Sequence, residues 1–209
     1  MSRLRACELA DGVTARVAAP TRSSTGCWLP RHDCDRSAWR SFEGVSHEDI
    51  GLLKRVELYL ADACGLPPCN GEPAQVLRYR TGQRYDVHPD FFDPRDSNSL
   101  ANGGQRVATC LLYLTTLPRD AGGCTSFPRA RVSTAVSGLR SASHGLRVRP
   151  VAGRAIVFHN TRPDGGIDPM SIHAGEPVRG RRGAHNVEKW LLSKWMRQRE
   201  YHVDGAAGF

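Results

Sequence analysis

His88 and Asp90, separated only by Pro89, are two side chains of metal-ligand type at a spacing that an extended chain turns into neighbours. On a β-strand residues i and i+2 point to the same face, so an imidazole and a carboxylate placed this way can reach one ion. With a histidine from elsewhere they make the two-histidine, one-carboxylate set that holds Fe(II). That set leaves half of an octahedron open for a co-substrate and dioxygen. A His-x-Asp pair is common by chance, and most such residues are surface polar groups. The rest of the chain must therefore supply the missing ligand and the scaffold.

The elements that would position the pair can be read from periodicity. Ser46 to Cys64 is the one clear helix: Ser46 is an N-cap residue, Asp49 a capping-box partner, and Gly65 a left-handed stop. Ile50, Leu53, Val56, Leu60 and Cys64 recur at helical spacing and make a core stripe. From Ala74 the pattern turns to strands. Residues 75–80 form one, and 85–90 alternate so that Tyr85, Val87 and Pro89 oppose Asp86, His88 and Asp90. Arg106 to Thr115 is almost continuously apolar and reads as a strand buried on both sides, and residues 122–128 read as a turn running into a short strand. Residues 146–148, 155–159 and 188–197 read as further strands. Segments 21–30, 93–104 and 179–186 read as loops, 129–145 as a mobile insertion, and Thr14–Ala18 as a short entering strand. Many short strands after a lone helix predict a mainly β, α+β domain with a double-stranded β-helix (jelly roll) core. One domain over 21–201 is expected, with a poorly defined segment 1–20 before it and a tail 202–209 after it.

Bulk properties narrow the function classes. The net charge is +8, and arginine supplies nearly all of the positive charge, with lysine only at 54, 189 and 194. Such a bias suits acidic partners, nucleic acid first among them, but a GC-rich genome explains it more simply, so nucleic acid ranks lower. Seven cysteines without a CxxC pair argue against a zinc module, and Cys64 with Cys69 could bridge a turn in an oxidising compartment. No stretch is apolar enough for a signal peptide or a membrane span, so read literally the chain is soluble and unexported, cytoplasmic if its N-terminus is complete. The sequence sets no oligomeric state.

Taken together, the segments NGEPAQVLRY, GQRYDVHPDFFDP, GGQRVATCLLYL, GGCTSFP, GLRVRP, PDGGIDPMSIHAGEPV and KWLLSKWMRQREY occur in one order across most of the chain. From about Thr21 to Tyr201 the chain resembles the prolyl 4-hydroxylase catalytic domain, a 2-oxoglutarate- and Fe(II)-dependent dioxygenase, in its plant and algal single-polypeptide form. The resemblance implies that His88, Asp90 and His173 hold the iron. It implies that Lys189 pairs with the distal carboxylate of 2-oxoglutarate, with Tyr79 and Thr125 as hydroxyl partners and Trp195 as an indole wall. Tyr85 and Arg106 match positions that face the peptide substrate, and Trp28 is open between a buried edge and a wall for an extended ligand. Trp28, Tyr85 and Arg106 together would suit a polyproline II segment. The other histidines (32, 47, 144, 185 and 202) read as solvated, and His159 as core or rim.

The activity that this resemblance implies is hydroxylation of peptidyl-proline to 4-hydroxyproline, with O2 consumed, succinate and CO2 released, and L-ascorbate sustaining the iron. The partner would be a proline-rich peptide or protein, and the compartment the endoplasmic reticulum. Two alternatives stand beside it: a 2-oxoglutarate oxygenase acting on nucleic acid or another protein side chain, and a catalytically silent peptide-binding module of the same fold. The chain departs from the family pattern in three places. Cys124 replaces an acidic residue in the GGxTxFP turn, RGRRGAHN lengthens the loop before Lys189, and the N-terminal segment is short. If that loop displaces Lys189, Arg181 or Arg182 would supply the carboxylate-binding charge.

Overall fold

The computed structural model describes residues 22–34, 36–40, 42–130, 145–180 and 187–203. The expected strand at 14–18, nearly all of the 129–145 insertion and most of the RGRRGAHN loop, with Arg181 and Arg182, lie outside these residues. Nine strands and two α-helices are present among them: β1 (Thr25–Leu29), α1 (His47–Cys64), β2 (Ala74–Arg80), β3 (Tyr85–His88), α2 (Ser97–Ala101), β4 (Arg106–Tyr113), β5 (Thr125–Phe127), β6 (Leu146–Val148), β7 (Ala155–His159), β8 (His173–Gly175) and β9 (Glu188–Arg197). They form a five-stranded sheet in the order β1-β2-β9-β4-β7 and a four-stranded sheet in the order β3-β8-β5-β6, with antiparallel pairing throughout. The two sheets face each other across one cavity, the jelly-roll arrangement expected from the strand pattern.

Helix α1 starts where the capping chemistry places it. Ser46 accepts from the Asp49 backbone N–H, the Asp49 carboxylate accepts from the Ser46 N–H in return, and Gly65 closes the helix at φ 65°. Its buried stripe, Leu53, Leu60, Ala61 and Cys64, packs on the outer face of the larger sheet against Ala74, Val76, Ala108, Cys110, Leu192 and Met196. The period-2 alternation of β2, β4 and β9 then sends the other half of each strand inward: Gln75, Leu77 and Tyr79, then Leu111, then Lys189, Leu191, Ser193 and Trp195. A sheet buried on both faces explains why Arg106 to Tyr113 is nearly all apolar.

Several expectations are corrected. Residues 25–29, expected as loop, pair with β2, since an edge strand needs only one partner and tolerates the polar segment before it. The 93–104 loop contains α2, capped by Asp96, whose carboxylate accepts from the Ser99 N–H. Cys64 does not face Cys69. Its sulfur lies 3.1 Å from Cys110 on β4, because the α1 stripe carries it onto the sheet, and no cysteine among the described residues is in a disulfide. His32 is not solvated: its ring contacts Glu57, a buried residue of α1. His47, His159 and His202 are exposed, which for His159 leaves neither a core place nor a ligand role, and His144 and His185 lie outside the described residues. No helix among the described residues is long and apolar enough to cross a membrane.

Glu57 is itself the hub of a buried polar cluster, pairing with the Lys194 ammonium from the outer row of β9 as well as with His32. Burial outweighs the carboxylate and holds the Lys194 pKa below the ordinary lysine value. Breaking one side of such a pair strands the other charge. Lys194→Met is expected to cost about 3–5 kcal/mol. At roughly 2–4 °C per kcal/mol for a chain of this size, that is a fall of about 6–20 °C in Tm. Thermal unfolding checks this, and the double change Glu57→Leu with Lys194→Met should return most of the loss because no charge is left buried.

Candidate metal centre

β3 and β8 pair so that His88 stands directly opposite His173. The two rings lie 4.4 Å apart, and Asp90 joins them: its Oδ1 is 3.8 Å from His88 Nε2 and its Oδ2 3.6 Å from His173 Nε2. One ligand atom from each of the three lies within 4.8 Å of the others, and all three residues are buried. Asp90 does not share a strand with His88 as the alternation predicted. β3 ends at His88, and a register shift between Tyr85 and His88 breaks the period-2 rule, so Tyr85 stacks on the His88 ring at 3.6 Å instead of pointing away.

The ring nitrogens are sorted by hydrogen bonds. His88 Nδ1 lies 2.7 Å from the Asp86 carbonyl and His173 Nδ1 3.0 Å from the Ser171 carbonyl. A carbonyl only accepts, so each Nδ1 carries the proton and donates, and each Nε2 turns a lone pair toward Asp90. Burial, with His173 close by, lowers the His88 pKa to about 4, which keeps that imidazole neutral and ligand-competent. Burial pushes the Asp90 carboxyl up, but the two histidines, Arg106 and the Thr109 hydroxyl outweigh it, so it stays below the ordinary carboxylate value and ionised. Two imidazoles and one carboxylate in a buried cluster fit a first-row divalent metal such as Fe(II).

The cavity, about 440 Å³, runs from this trio along the inner rows of both sheets. Leu77, Leu111 and Leu191 line the same cavity, and so does Lys189. The Lys189 side chain is 1% exposed, its ammonium 5.1 Å from the Tyr79 ring centre and 5.5 Å from that of Tyr113. Among the described residues no carboxylate is paired with it, and burial depresses its pKa to about 8. Thr125 is held beside it, because the Tyr113 hydroxyl donates to Thr125 Oγ1 at 2.7 Å. Gly123, at φ 69°, lets the turn before Thr125 close over the lysine, where an added Cβ would stand 2.7 Å from Leu117 Cδ1. Cys124, the odd residue of this turn, is half-buried, and its carbonyl accepts from the Glu176 N–H at 2.8 Å, a contact any residue type could make.

A trio able to hold a metal ion, apolar walls and a buried cation with no counter-ion among the described residues fit a small dicarboxylate lying between them. Trp195, expected among the residues around its distal end, stands at the other end of β9's inner row from Lys189. There it meets Trp28, 5.6 Å between ring centres, and lies under the Arg106 guanidinium at 4.3 Å. Trp28 is therefore a cavity wall as well as part of an edge strand. Arg106 donates through Nε and Nη2 to Glu72 at 2.6 and 2.7 Å, which fixes its plane above Trp195 and Phe92. Trp195 Nε1 is buried without a hydrogen-bond partner among the described residues.

Sequence reasoning did not single out Gln75, Ser193, Thr109 or Arg22. The first two were within reach, since the alternation that includes Tyr79 and Lys189 runs through them. Thr109 enters only because Asp90 folds against it from a distant part of the chain, where its hydroxyl donates to Oδ2 at 2.8 Å. Arg22, 5.7 Å over the Tyr85 ring, comes from a segment that carries no pattern.

Comparison with known proteins places these features in context. The 2OG-Fe(II) oxygenase superfamily profile matches residues 74–197. Probable prolyl 4-hydroxylase 3 of Arabidopsis thaliana is 39% identical over 158 residues, 73% of this chain and 51% of that protein. Prolyl 4-hydroxylase 5 of the same plant is 37% identical over 173 residues, 80% of this chain and 55% of that protein. The chain thus spans about half the length of the curated relatives it matches. Among solved structures, the viral collagen prolyl hydroxylase of Paramecium Bursaria Chlorella virus-1 in its 2OG complex superposes with a TM-score of 0.56 at 26% identity. That match covers 85% of this chain and 80% of the viral one.

Proposed function

The chain belongs to the 2OG-Fe(II) oxygenase superfamily, and from that premise we propose that it hydroxylates peptidyl-proline at C4. The reaction would use Fe(II), 2-oxoglutarate and O2 and release succinate and CO2. The observation that carries this reading is the buried Lys189 ammonium, without a carboxylate partner among the described residues, in the same cavity as the His88, Asp90 and His173 trio. The names of the curated relatives supply the substrate class.

On this reading His88 and His173 present Nε2, and Asp90 a carboxylate oxygen, to the metal. Bound there, Fe(II) supplies the redox chemistry that couples decarboxylation of 2-oxoglutarate to oxygen transfer. The protein does the positioning. Lys189 neutralises the distal carboxylate of the co-substrate, Thr125 and Tyr79 offer hydroxyls to it, and the three leucines exclude water from its methylenes. Burial holds the Tyr79 hydroxyl pKa up at about 12, so it remains a donor across the working range. Trp28, Trp195, Tyr85 and Arg106 wall the side from which a proline-rich strand would enter, flat aromatic faces suiting the rings of a polyproline II segment. Ascorbate belongs to the same reading as the reductant that restores ferrous metal, and the endoplasmic reticulum as its compartment, which cell fractionation would check.

The test is succinate release by iron-loaded protein given 2-oxoglutarate and air. Poly(L-proline) and a Ser-Pro-rich peptide are compared with an oligonucleotide and with no added substrate. Turnover stimulated by peptide, with one oxygen gained by the peptide in its mass spectrum, is the expected result. Stimulation by the oligonucleotide alone would move the substrate to nucleic acid. Folded, metal-binding protein that forms no succinate with any of them would leave a binding module.

A further inference from the structure

Asp90 is held from behind by a chain of two buried side chains that no step of the proposed reaction uses. The Thr109 hydroxyl donates to Asp90 Oδ2 at 2.8 Å, and the Asn160 amide Nδ2 donates to Thr109 Oγ1 at 2.9 Å. Thr109 and Asn160 are both fully buried, at 0% exposure. A threonine hydroxyl has a single proton, and its direction is free unless something fixes it. Here the Asn160 N–H occupies the acceptor side of Oγ1, so the proton must turn toward Asp90. Were the amide reversed, its carbonyl would compete for that proton and leave Oδ2 without its donor.

The backbone that carries this amide is itself held in place. Its N–H donates to the Val107 carbonyl on β4 and its carbonyl accepts from the Asp168 N–H, both at 2.8 Å. The arrangement leaves Asn160 Oδ1 buried with no hydrogen-bond partner among the described residues. A buried orphan acceptor is unfavourable, so a leucine of similar size would suit this place better unless the amide N–H were needed.

We propose that Thr109 and Asn160 are positioning residues for the metal centre, a hydrogen-bond relay that fixes the Asp90 carboxylate by committing Oδ2 to the protein and leaving Oδ1 for the ion. The proposal rests on the reading of His88, Asp90 and His173 as the metal site. It assigns the task of orienting the ligand to β4 and to the turn after β7, elements that contribute no ligand themselves. Supports of this kind outside the ligand set typically change metal affinity by about 10–100-fold.

The experiment uses the full chain, stripped of metal. Anaerobic titration with Fe(II), repeated with Mn(II) followed by its electron paramagnetic resonance signal, gives Kd for wild type, His173→Ala, Thr109→Val, Thr109→Ser and Asn160→Leu. Thr109→Val keeps the shape and removes the hydroxyl. It should weaken metal binding by about 10–100-fold, Thr109→Ser should recover most of the affinity, and Asn160→Leu should fall between. At saturating metal the KM for 2-oxoglutarate should stay where it is, since Lys189 and Thr125 are untouched. A Thr109→Val protein that binds metal within about twofold of wild type, against the 10–100-fold of a real support, overturns the relay and leaves the metal site standing. If Thr109→Val does not fold, unchanged affinity in Asn160→Leu overturns it equally. Wild type that binds no metal, or His173→Ala that binds as well as wild type, sinks the site reading and the relay with it.

Discussion

Lys189→Met is expected to abolish measurable 2-oxoglutarate binding and, at the same time, to raise the melting temperature of the ligand-free protein. The two effects have one cause. In the free protein the ammonium is 1% exposed, faces two aromatic rings, and has no carboxylate partner among the described residues, so its charge is held out of water without a paired counter-charge. Its pKa, lowered by burial to about 8, measures that penalty. Methionine fills a similar volume without charge and removes it. The co-substrate, by contrast, would then have to bury its distal carboxylate against a thioether. Stripping one partner from a buried pair costs about 3–5 kcal/mol, or roughly two to three and a half powers of ten in affinity.

The pH dependence carries the same sign logic. The folded value of about 8 lies below the ordinary 10.5, so between the two the unfolded chain holds more protons than the folded one. Folding stability contributed by this group therefore rises as pH climbs from about 8 toward 10.5, and the penalty is full below that window. Affinity for 2-oxoglutarate moves the other way, weakening once the free ammonium is lost above about 8. Lys194 is also depressed by burial, so the informative quantity is the difference between wild type and Lys189→Met. Melting curves and 2-oxoglutarate titrations at pH 7 and 9.5 should show the two trends cross.

His173→Ala is expected to lose peptide-stimulated succinate formation entirely. A group merely supporting a metal ligand costs about 10–100-fold when removed, and a ligand must cost at least as much. The ring is also wedged between Phe158 at 4.8 Å and Phe127 at 5.6 Å, so the alanine opens a gap beside the centre. His159→Ala, on an exposed residue one sheet away, should leave both turnover and metal affinity unchanged. Equal losses in the two variants would mean that histidine content, and not the trio, supports activity.

How much of this was legible in the sequence depends on how local the signal was. The limits of α1 follow from Ser46, Asp49 and Gly65, all adjacent to the turns they cap. The strands 75–80, 106–115 and 188–197 follow from apolar runs, and their inner faces from period 2. The trio could be named because its residues sit in segments that resemble a family, yet its geometry could not. The bulge after Tyr85 overrides alternation, and nothing local announces it. Thr109, Asn160 and Glu72 escaped for a related reason. Each is an ordinary polar residue in its own segment and acquires a role only through partners 19, 51 and 34 positions away. Lys194 shows the opposite hazard: the KWxxxKW repeat makes it look like a twin of Lys189, but the odd spacing of five sends it to the far face of the sheet, to Glu57.

The place of β9 has a consequence for how the protein is made. Among the described strands it comes last along the chain, but it occupies the middle of the larger sheet, between β2 and β4. The Arg78–Glu188 contact joins residues 110 positions apart. Until β9 leaves the ribosome, the nascent chain holds two strands with open edges and an amphipathic helix with only part of its floor. Such intermediates fold slowly and invite pairing with other chains. The cavity therefore cannot take shape in step with translation. It arrives in one late closure, when the same strand brings in Lys189 on one face and completes the seat of the helix on the other.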